Sequence, residues 1–396
     1  MRTLWLADHL LVSERGHHVS HNGFIADAAR RAGMDVQILC ARECVARVPG
    51  GFAMRRIFRK DVRNTPSQLV SRSRFALDAL ERLARHRFHA DLVRGITPDI
   101  IKSKDIIFAG MLAPRNLAGW LRWLRDFPKE PLPNLVLHLG YASERFGADR
   151  EIPSLLESLE RSGRFSRAHF ATDSNILKDK YEAIFQQPVA HLPLVASRRV
   201  SECYKPPGTP VHFVCLGNAR EEKGFAEILT AIDTLSSKGG LANARFTLQS
   251  SDPDAHSAAA LARFRSGSAP GISLITKPLD DESYLRLLKD ADVLLLPYHV
   301  DRYRDRTSGV FCEAMTSGKP TIVNEGSFLG LEVRRQANGW LARDRDPTSL
   351  AETIQRAVGE LDAVASRCAE LMPHYKPMFH PDTFISKLLD LADGKE

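Results

Sequence analysis

The sequence predicts an α/β protein built from two doubly wound, parallel-sheet domains. Two observations support this prediction. Short apolar runs alternate with amphipathic helical patterns along the chain, and one proline-rich segment interrupts that alternation. Alternation of this kind is typical of parallel sheets covered by helices. The interruption, residues 205–210, contains three prolines and a glycine, so we place the interdomain linker there.

The first half begins with a strand–helix–strand unit. The apolar run 3–7 predicts a buried strand, and apolar residues at helical spacing predict a helix over 21–32 that ends at Gly33. A second strand is predicted at 35–40. The alternation then continues to residue 194, with strands and helices in turn predicted at 105–109, 116–125, 134–139, 152–162, 168–172, 176–185 and 189–194.

The second half repeats the pattern after the linker. Its predicted strands are 211–216, 245–249, 272–276, 293–296 and 320–324. Its predicted helices are 224–236, 256–264, 281–290, 308–317 and 347–360, followed by an amphipathic tail helix at 381–391. We therefore expect domains at 1–204 and 205–375, with 376–396 packing back on the first domain. Ligands bind at the carboxyl ends of such sheets, so the expected site is a cleft between the two domains.

Charge is distributed unevenly. The net charge is +7, and residues 1–200 carry 32 Lys and Arg against 21 Asp and Glu, whereas the remainder carries 23 against 27. Most of the excess lies in 51–94, where arginines are interleaved with apolar residues. Such a segment can contact an anionic membrane surface or an acidic acceptor. It can also bind nucleic acid without sequence preference, which we consider unlikely, or form the solvated face of ordinary helices.

Cysteine usage indicates the compartment. The six cysteines form no CxxC pair and no zinc-ligand spacing, which is typical of a reducing cytosol. The longest apolar runs fall short of the ~18 residues that span a bilayer. We therefore expect a cytoplasmic protein, with the inner face of the membrane as its other expected location.

Several common site motifs are missing from the sequence. No GxGxxG follows either opening strand, which disfavours a nicotinamide or flavin dehydrogenase. Gly318-Lys319 is followed by Pro320 rather than by a hydroxyl residue, so the phosphate-loop interpretation fails. The sequence also contains no GxSxG and no HExxH.

Two segments of the second half carry the informative chemistry. In 216–224, a strand ends, Gly217 turns the chain, and Arg220 and Lys223 come just before the next helix. Two cations beside a helix N-terminus predict a diphosphate site. In 298–314, a polar loop ends at Ser308 and Gly309, where a helix begins with free N–H groups that can bind phosphate or sugar oxygens. The carboxylates of Asp305 and Glu313, eight positions apart, can hold different parts of one ligand.

These segments resemble the nucleotide-binding domain of glycosyltransferase family 4, which has the GT-B fold. Lys223-Gly224 matches the end of that family's diphosphate-binding segment, although Asn218 stands where the family arginine usually follows the glycine. The family's E-x7-E pair falls on Asp305 and Glu313, with aspartate in place of the first glutamate. Further matches are Asp290–Pro297, Glu313–Pro320 and Asn338–Leu341, the last of which resembles the family's NGxL turn.

The resemblance implies a role for each matching residue. Glu313 would hold the ribose hydroxyls, and Arg220 and Lys223 would stabilise the leaving diphosphate. The base would meet the backbone near Leu279, and Asp305 would contact sugar hydroxyls. The phosphate or the transferred sugar would contact a third group, which consists of Gly217, Arg306, Ser308 and Gly309.

In the first half the resemblance rests mainly on architecture. Gly16 and His17 follow the first strand, and they would face the donor sugar. His138, near the end of the strand 134–139, would point into the cleft as a catalytic contact. The resemblance further implies transfer with retention of anomeric configuration, with a nucleotide-diphosphate sugar as co-substrate and without a cofactor or bound metal. The acceptor would be a glycan or a lipid-linked molecule in cell-surface polysaccharide biosynthesis.

Two alternatives remain open from the residues alone. A nucleotide-sugar epimerase could use the same fold and the same donor site. A non-catalytic module that binds membrane or nucleic acid could retain a degenerate donor site, and the departures at Asn218 and Asp305 support that alternative.

Overall fold

A computed structural model describes residues 1–13, 17–59, 74–128, 131–141, 143–147, 149–197, 199–200 and 203–395. The chain divides into two units, one formed by Met1–Pro193 with Pro381–Glu396 and the other by Leu194–His380. The divisions therefore fall eleven residues before and five residues after the predicted boundaries, 204 and 375. No helix of the described residues is both long and apolar enough to cross a membrane.

The first unit contains a seven-stranded parallel sheet with the strand order β3-β2-β1-β4-β5-β6-β7. Its strands are β1 (Thr3–Ala7), β2 (Asp35–Ala41), β3 (Ala53–Phe58), β4 (Ile106–Ala109), β5 (Asn134–Leu139), β6 (Ala168–Thr172) and β7 (Val189–His191). Its helices include α1 (His17–Arg31), α2 (Arg74–Gly95), α3 (Pro114–Asp126), α4 (Glu144–Gly147), α5 (Glu151–Arg161) and α6 (Asn175–Phe185). Every residue of β1, β4 and β5 is buried, as expected for central strands covered on both faces.

The second unit contains a six-stranded parallel sheet with the order β10-β9-β8-β11-β12-β13. Its strands are β8 (Val211–Cys215), β9 (Ala244–Gln249), β10 (Ile272–Ile275), β11 (Val293–Leu296), β12 (Thr321–Asn324) and β13 (Gly339–Ala342). Its helices are α7 (Phe225–Ser237), α8 (Ala255–Arg263), α9 (Asp281–Asp290), α10 (Val300–Tyr303), α11 (Gly309–Thr316), α12 (Phe328–Gln336) and α13 (Pro347–Met378). The last helix, α14 (Pro381–Ala392), belongs to the first unit, where it packs on α1.

The predicted fold class is confirmed, and four strands match residue for residue, namely β1, β5, β6 and β11. The interpretation of 338–341 as a turn is wrong, because β13 is an edge strand that pairs with β12. Gly339 explains the error. A Cβ there would lie 2.3 Å from the Thr321 carbonyl oxygen, so this glycine permits close strand pairing rather than a chain reversal.

Further elements differ from the prediction, among them the helices α4, α10 and α12, which were not predicted. The strand β3 and the helix α2 lie in the basic segment, where arginines obscure the apolar pattern. The helix predicted at 347–360 continues to Met378, because Leu361, Ala365 and Cys368 keep the same face buried. Pro373 and Pro377 lie inside its last turns, beyond the predicted end at residue 360.

A buried lysine holds two helices of the second unit in place. Lys319 is 1% exposed, and its Nζ donates hydrogen bonds to the carbonyl oxygens of Lys289 (2.9 Å) and Ala291 (2.7 Å) at the end of α9. Because Lys319 lies three residues after the end of α11, these bonds connect α9 with the turn that follows α11. Burial lowers the pKa of Lys319 from 10.5 to about 8.

This depressed pKa predicts a pH-dependent stability. The unfolded chain binds the Lys319 proton more tightly than the folded chain, so folded wild-type protein should gain stability as pH rises from about 8 to 10.5. Lys319→Met should be less stable than wild type at pH 7 by about 1–3 kcal/mol, because charged hydrogen bonds to the α9 carbonyls are lost. The gap should then widen toward pH 10.5.

Urea unfolding at several pH values measures both effects. The control is Lys289→Met, which removes an exposed lysine from the end of the same helix. Equal pH dependence in wild type and Lys319→Met would contradict the burial of this ammonium group.

Candidate functional site

The site in the second unit lies where its sheet changes winding direction. The strand order runs outward from β8 toward β10 on one side and from β11 toward β13 on the other. In doubly wound sheets, ligands bind at the carboxyl ends of the two strands flanking such a point. The loops that leave β8 and β11 at this point are the two segments singled out in the sequence, 216–224 and 297–308.

Gly217 brings the first loop close to Lys223. Its φ of 94° lies in the left-handed region, and its N–H donates to Gln249 Oε1 at 2.7 Å. A Cβ at this position would lie 2.7 Å from Lys223 Nζ. A side chain at residue 217 would push the flexible ammonium group aside, and the left-handed φ is what favours glycine at this turn.

Gly224 fixes the start of α7 against the end of β11. Its φ is 68°, and a Cβ would lie 2.2 Å from the Pro297 carbonyl oxygen. Two further bonds join the same elements. The His299 N–H donates to the Glu222 carbonyl oxygen at 3.0 Å, and the His299 ring meets Glu227 Oε1 at 3.0 Å. The two loops are thus held together by backbone packing, independent of any ligand.

Lys223 is a partly exposed residue whose ammonium group loses much of its contact with water. Burial lowers the pKa of Lys223, Cys215 and Glu222 oppose the change, and the Arg220 guanidinium lowers the pKa further. Its Nζ lies 5.8 Å from the centroid of the Tyr298 ring, which supplies a weak cation–π contact. An anion bound beside Nζ would favour the charged form of the lysine, so the site favours a negatively charged ligand.

Tyrosines extend this region toward α11. The rings of Tyr298 and Tyr303 lie 4.6 Å apart, and the Arg306 guanidinium lies 5.5 Å from the Tyr303 ring. Burial raises the pKa of Tyr298 well above 10, and its buried hydroxyl has no hydrogen-bond partner among the described residues. Ring contacts at Tyr298 therefore connect Lys223 with Tyr303, which lies shortly before α11.

The N-terminus of α11 adds hydrogen-bond donors. Ser308 is the N-cap residue with extended backbone, and its side chain makes no capping bond. Gly309 opens the eight-residue helix, is exposed, and has no atom within 4 Å of the position of a Cβ. The first amides of a helix lack intrahelical partners and carry partial positive charge. These amides therefore add to the positive potential of the cations in the neighbouring loop.

Glu313 and Leu279 lie on a second side of this region. The Tyr284 hydroxyl on α9 donates to Glu313 Oε2. Burial raises the pKa of Glu313 to about 7, and the bond from Tyr284 limits that rise. Leu279 and Tyr284 pack against the same core cluster as Phe311 of α11. Glu313 thus changes charge near neutral pH.

Two residues that were predicted to contact the ligand, Arg220 and Asp305, differ greatly in exposure. Arg220 is largely exposed, with 53% of its side-chain surface accessible, and lies 3.9 Å from Glu222. Asp305 is 5% exposed, so its carboxylate has little surface for a sugar hydroxyl in this structure. The roles of both residues stay predictions.

The predicted first-half residues lie in the other unit or outside the description. Gly16 is outside the described residues, and His17 begins α1 but its side chain lies outside them as well. His138 is 3% exposed, and its Nε2 lies 3.2 Å from the Leu192 carbonyl oxygen. Burial lowers the pKa of His138 to about 4. This is the environment of a core histidine, and the predicted catalytic role stays untested.

Sequence patterns did not reveal the tyrosines of the site. Tyr284 is 29 positions away from Glu313, and aromatic residues near apolar runs usually indicate core packing. The position of Tyr298 could have indicated that it belongs to the site, because it follows Pro297 directly at the carboxyl end of β11. Among the described residues, no group of three His, Cys, Asp or Glu side chains could hold a metal ion.

A family model matches the second half of the chain. Residues 210–360 match the model described as glycosyl transferases group 1, which supports a glycosyltransferase. The matched range contains both loops and Glu313. No curated protein matches the sequence significantly.

Solved structures are similar over nearly the whole chain. Sucrose-phosphate synthase from Thermosynechococcus elongatus has a TM-score of 0.66 and 13% identity over 100% of this chain and 99% of that one. Trehalose-6-phosphate synthase OtsA gives 0.68 and 11% over 98% and 99%. HepE from Anabaena, solved in complex with UDP, gives 0.64 and 13% over 100% of both chains. Together with the two parallel sheets, these likenesses show the GT-B fold.

The environment of Lys223 predicts how the donor site responds to a substitution. Lys223→Met removes a desolvated cation, so the unliganded protein should be as stable as wild type or more stable. Nucleoside diphosphate at about 1 mM should raise the Tm of wild type by several degrees, and this shift should disappear in Lys223→Met.

Thermal unfolding with and without nucleoside diphosphate measures both quantities. The control is Lys238→Met, an exposed lysine at the other end of α7, which should keep the wild-type shift. An undiminished ligand shift in Lys223→Met would show that the ammonium group does not bind the diphosphate.

Proposed function

We propose that the protein is a retaining glycosyltransferase that moves a sugar from a nucleotide-diphosphate sugar to a glycan or lipid-linked acceptor in cell-surface polysaccharide biosynthesis. One observation carries the proposal. The ammonium group of Lys223 is partly desolvated beside Gly217, at the carboxyl ends of β8 and β11, in a range that matches group 1 glycosyl transferases. A diphosphate supplies the negative charge that this position lacks.

The leaving group explains why cations are needed. When the bond between the anomeric carbon and the phosphate oxygen breaks, its electron pair stays with the diphosphate. Lys223 and Arg220 stabilise that charge, and Arg306 with the amides at Ser308 and Gly309 would contact the phosphate or the sugar. Preorganised donors of this kind contribute several kcal/mol to transition-state stabilisation. The cations and amides take over the neutralisation that a metal ion supplies in other enzymes, so we expect a metal-independent reaction.

The nucleotide would lie along α9 and α11. Glu313 would accept hydrogen bonds from the ribose hydroxyls while Tyr284 holds its other oxygen, and the backbone near Leu279 would meet the base. A protonated Glu313 accepts such bonds less well, so nucleotide affinity depends on its ionisation. The pKa of about 7 brings this dependence close to physiological pH.

A membrane contact for a lipid-linked acceptor is part of the proposal. Within 51–94, Arg59 and Arg85 are neutralised by the acidic residues Asp91 and Asp149, at 2.7 and 2.5 Å. Arg55 and Arg56 are exposed on the edge strand β3. Exposed apolar side chains also follow β1 and β2, at Leu10, Val12 and Val45, the last with 75% of its surface accessible. Exposed cations and apolar side chains in one unit favour an anionic lipid surface.

Turnover of nucleotide sugars tests the proposed reaction. Wild type should release nucleoside diphosphate from one nucleotide sugar, slowly alone and faster with an acceptor. The KM for the donor should rise as pH falls below about 7, because Glu313 becomes protonated. Tyr284→Phe should move this rise to higher pH, since the lost hydrogen bond was lowering the pKa of Glu313. Glu313→Gln should have a higher donor KM that does not depend on pH.

Three results would decide against the proposal. Absence of binding and of hydrolysis with every nucleotide sugar excludes the reaction. Conversion of a nucleotide sugar to an isomer without an acceptor identifies an epimerase. Unchanged biological activity of both Lys223→Met and Glu313→Gln favours a non-catalytic binding module.

Vesicle binding tests the membrane contact. Arg55→Glu with Arg56→Glu should weaken binding to anionic vesicles at low salt by about 30-fold or more, because two basic residues near the surface contribute about 1 kcal/mol each and the new carboxylates are repelled. The matched control reverses Arg150 and Arg161, which are exposed on the same unit. Equal binding by the two double variants would assign Arg55 and Arg56 to an ordinary solvated face.

A further inference from the structure

The amino ends of four neighbouring strands bring basic residues together in the first unit. The strands β1, β4, β5 and β6 are adjacent and parallel, so their amino ends lie along one edge of the sheet. Arg2 directly precedes β1, Lys104 lies two residues before β4, and Arg167 directly precedes β6. Doubly wound sheets usually bind ligands at the opposite, carboxyl edge. The cations at the amino edge therefore lie outside the usual ligand crevice.

An open cavity of about 540 Å³ lies at this amino edge. The residues before the four strands and the end of α14 line it, and the polar ones include Arg2, Lys104, Asn134, Arg167, Asp393 and Lys395. Among the described residues of its wall, Ala392 is the only apolar one. The volume is within the range of small-molecule sites, about 300–1,000 Å³, but the polar wall suits a charged ligand rather than an apolar one.

Positive charge dominates the wall of the cavity. Its described residues include four cations and one carboxylate, Asp393. Arg2 Nη2 donates to Asp393 Oδ1 at 2.6 Å, and this bond lowers the pKa of Asp393. Lys395 Nζ lies 4.0 Å from the other oxygen of Asp393, and Arg2 Nε donates to the Lys104 carbonyl oxygen at 2.7 Å. The single carboxylate is thus shared by two cations, and an excess of positive charge is left.

The excess charge is carried by Lys104 and Arg167. Neither side chain forms an ion pair with a carboxylate of the described residues. Arg167 Nη1 makes one long hydrogen bond, at 3.4 Å to Asn134 Oδ1. Burial lowers the pKa of His169 to about 4, and the charge of Arg167 contributes to that shift. Because Lys104 is exposed and Arg167 is half-buried, both cations are accessible to a solute in the cavity.

Lys104 is carried by a turn whose backbone is fixed from inside the fold. The carboxylate of Asp105, which is 1% exposed, accepts the Lys102 N–H of the same turn at 3.0 Å. It also accepts the Thr3 N–H at 3.0 Å and Trp5 Nε1 at 3.3 Å, both from β1. The turn is therefore anchored to β1 before any ligand binds, which lowers the entropic cost of placing Lys104 beside an anion.

We propose that this cavity binds a phosphomonoester group, with Lys104 and Arg167 as its main cationic contacts. Such a group carries up to two negative charges and three acceptor oxygens, which suit one ammonium and one guanidinium group. Ser103 and Asn134 offer a hydroxyl and an amide to the polar remainder of the ligand. The phosphate can belong to a soluble molecule or to a phospholipid headgroup, since both present the same chemistry. The site is separate from the donor site of the second unit, so this inference does not depend on the proposed function.

Calorimetric titration with inorganic phosphate and with glycerol 3-phosphate, at constant ionic strength, tests the soluble source. Lys104→Gln combined with Arg167→Gln should weaken binding of both probes about tenfold or more, because two charge-assisted contacts are lost. The matched control combines Lys102→Gln with Arg161→Gln, which removes two exposed cations of the same unit outside the cavity and should stay within about twofold of wild type. Lys223→Met should bind both probes at this cavity as wild type does.

A variant that binds more tightly guards against a mere loss of folding. Asp393→Asn keeps an oxygen that accepts from Arg2 but removes the negative charge from the wall of the cavity. It should strengthen binding of glycerol 3-phosphate roughly threefold, because the ligand is no longer repelled by a carboxylate. Unchanged or weaker binding in Asp393→Asn would contradict the assignment of the ligand to this cavity.

Sedimentation with vesicles tests the lipid source. Vesicles that contain phosphatidic acid present a phosphomonoester, and vesicles of phosphatidylcholine alone do not. A loss of binding to the former in the Lys104 and Arg167 double variant, with no effect in the control pair, assigns the site to a lipid headgroup. The same pattern with glycerol 3-phosphate assigns it to a soluble ligand. Absence of binding to every probe by wild type, or equal losses in the two double variants, would overturn the inference and leave the donor site untouched.

Discussion

The partial desolvation of the Lys223 ammonium group is the constraint on which the candidate donor site depends. Moving a cation out of water costs free energy. Two glycines near Lys223 allow the close packing that surrounds it. Gly217 leaves room for Nζ, and Gly224 lets the start of α7 press against Pro297. Tyr298 then lies under the ammonium group and connects it to the segment before α11. The desolvated ammonium group is unfavourable without an anionic ligand beside it.

Glu313 places a desolvated group of opposite charge, a carboxylate, in the same region. Its pKa of about 7 shows that the ionised form is also disfavoured by burial, although Tyr284 stabilises it. Lys223 and Glu313 therefore both bear charges that a polar ligand would stabilise. A nucleoside diphosphate supplies an anion at one end and hydroxyl groups at the other, which suits one cation and one carboxylate. Sites that trade stability for ligand binding in this way are common in enzymes.

Parallel-sheet architecture and the donor segments were predictable from the sequence, because apolar periodicity and short glycine-containing motifs are local signals. The residues that connect the site were not. Tyr284 reaches Glu313 across 29 positions, and no local pattern indicates such a contact. The edge strand β13 was mistaken for a turn because it contains Gly339. Glycine is common in turns, but here it allows close strand pairing. The strand β3 was hidden by the arginines that its exposed position permits. His138 illustrates another limit of sequence analysis. Its position near a strand end did not reveal that its side chain is buried.

Proton uptake on binding tests the central account most directly. A diphosphate beside Lys223 should restore the depressed pKa of that lysine, so at alkaline pH the binding of nucleoside diphosphate should be accompanied by uptake of a proton. Calorimetric titration in buffers of different ionisation enthalpy measures this uptake. The account predicts uptake by wild type and none by Lys223→Met. Binding by wild type without proton uptake, or equal uptake by Lys223→Met, would contradict the claim that this partly desolvated lysine holds the diphosphate.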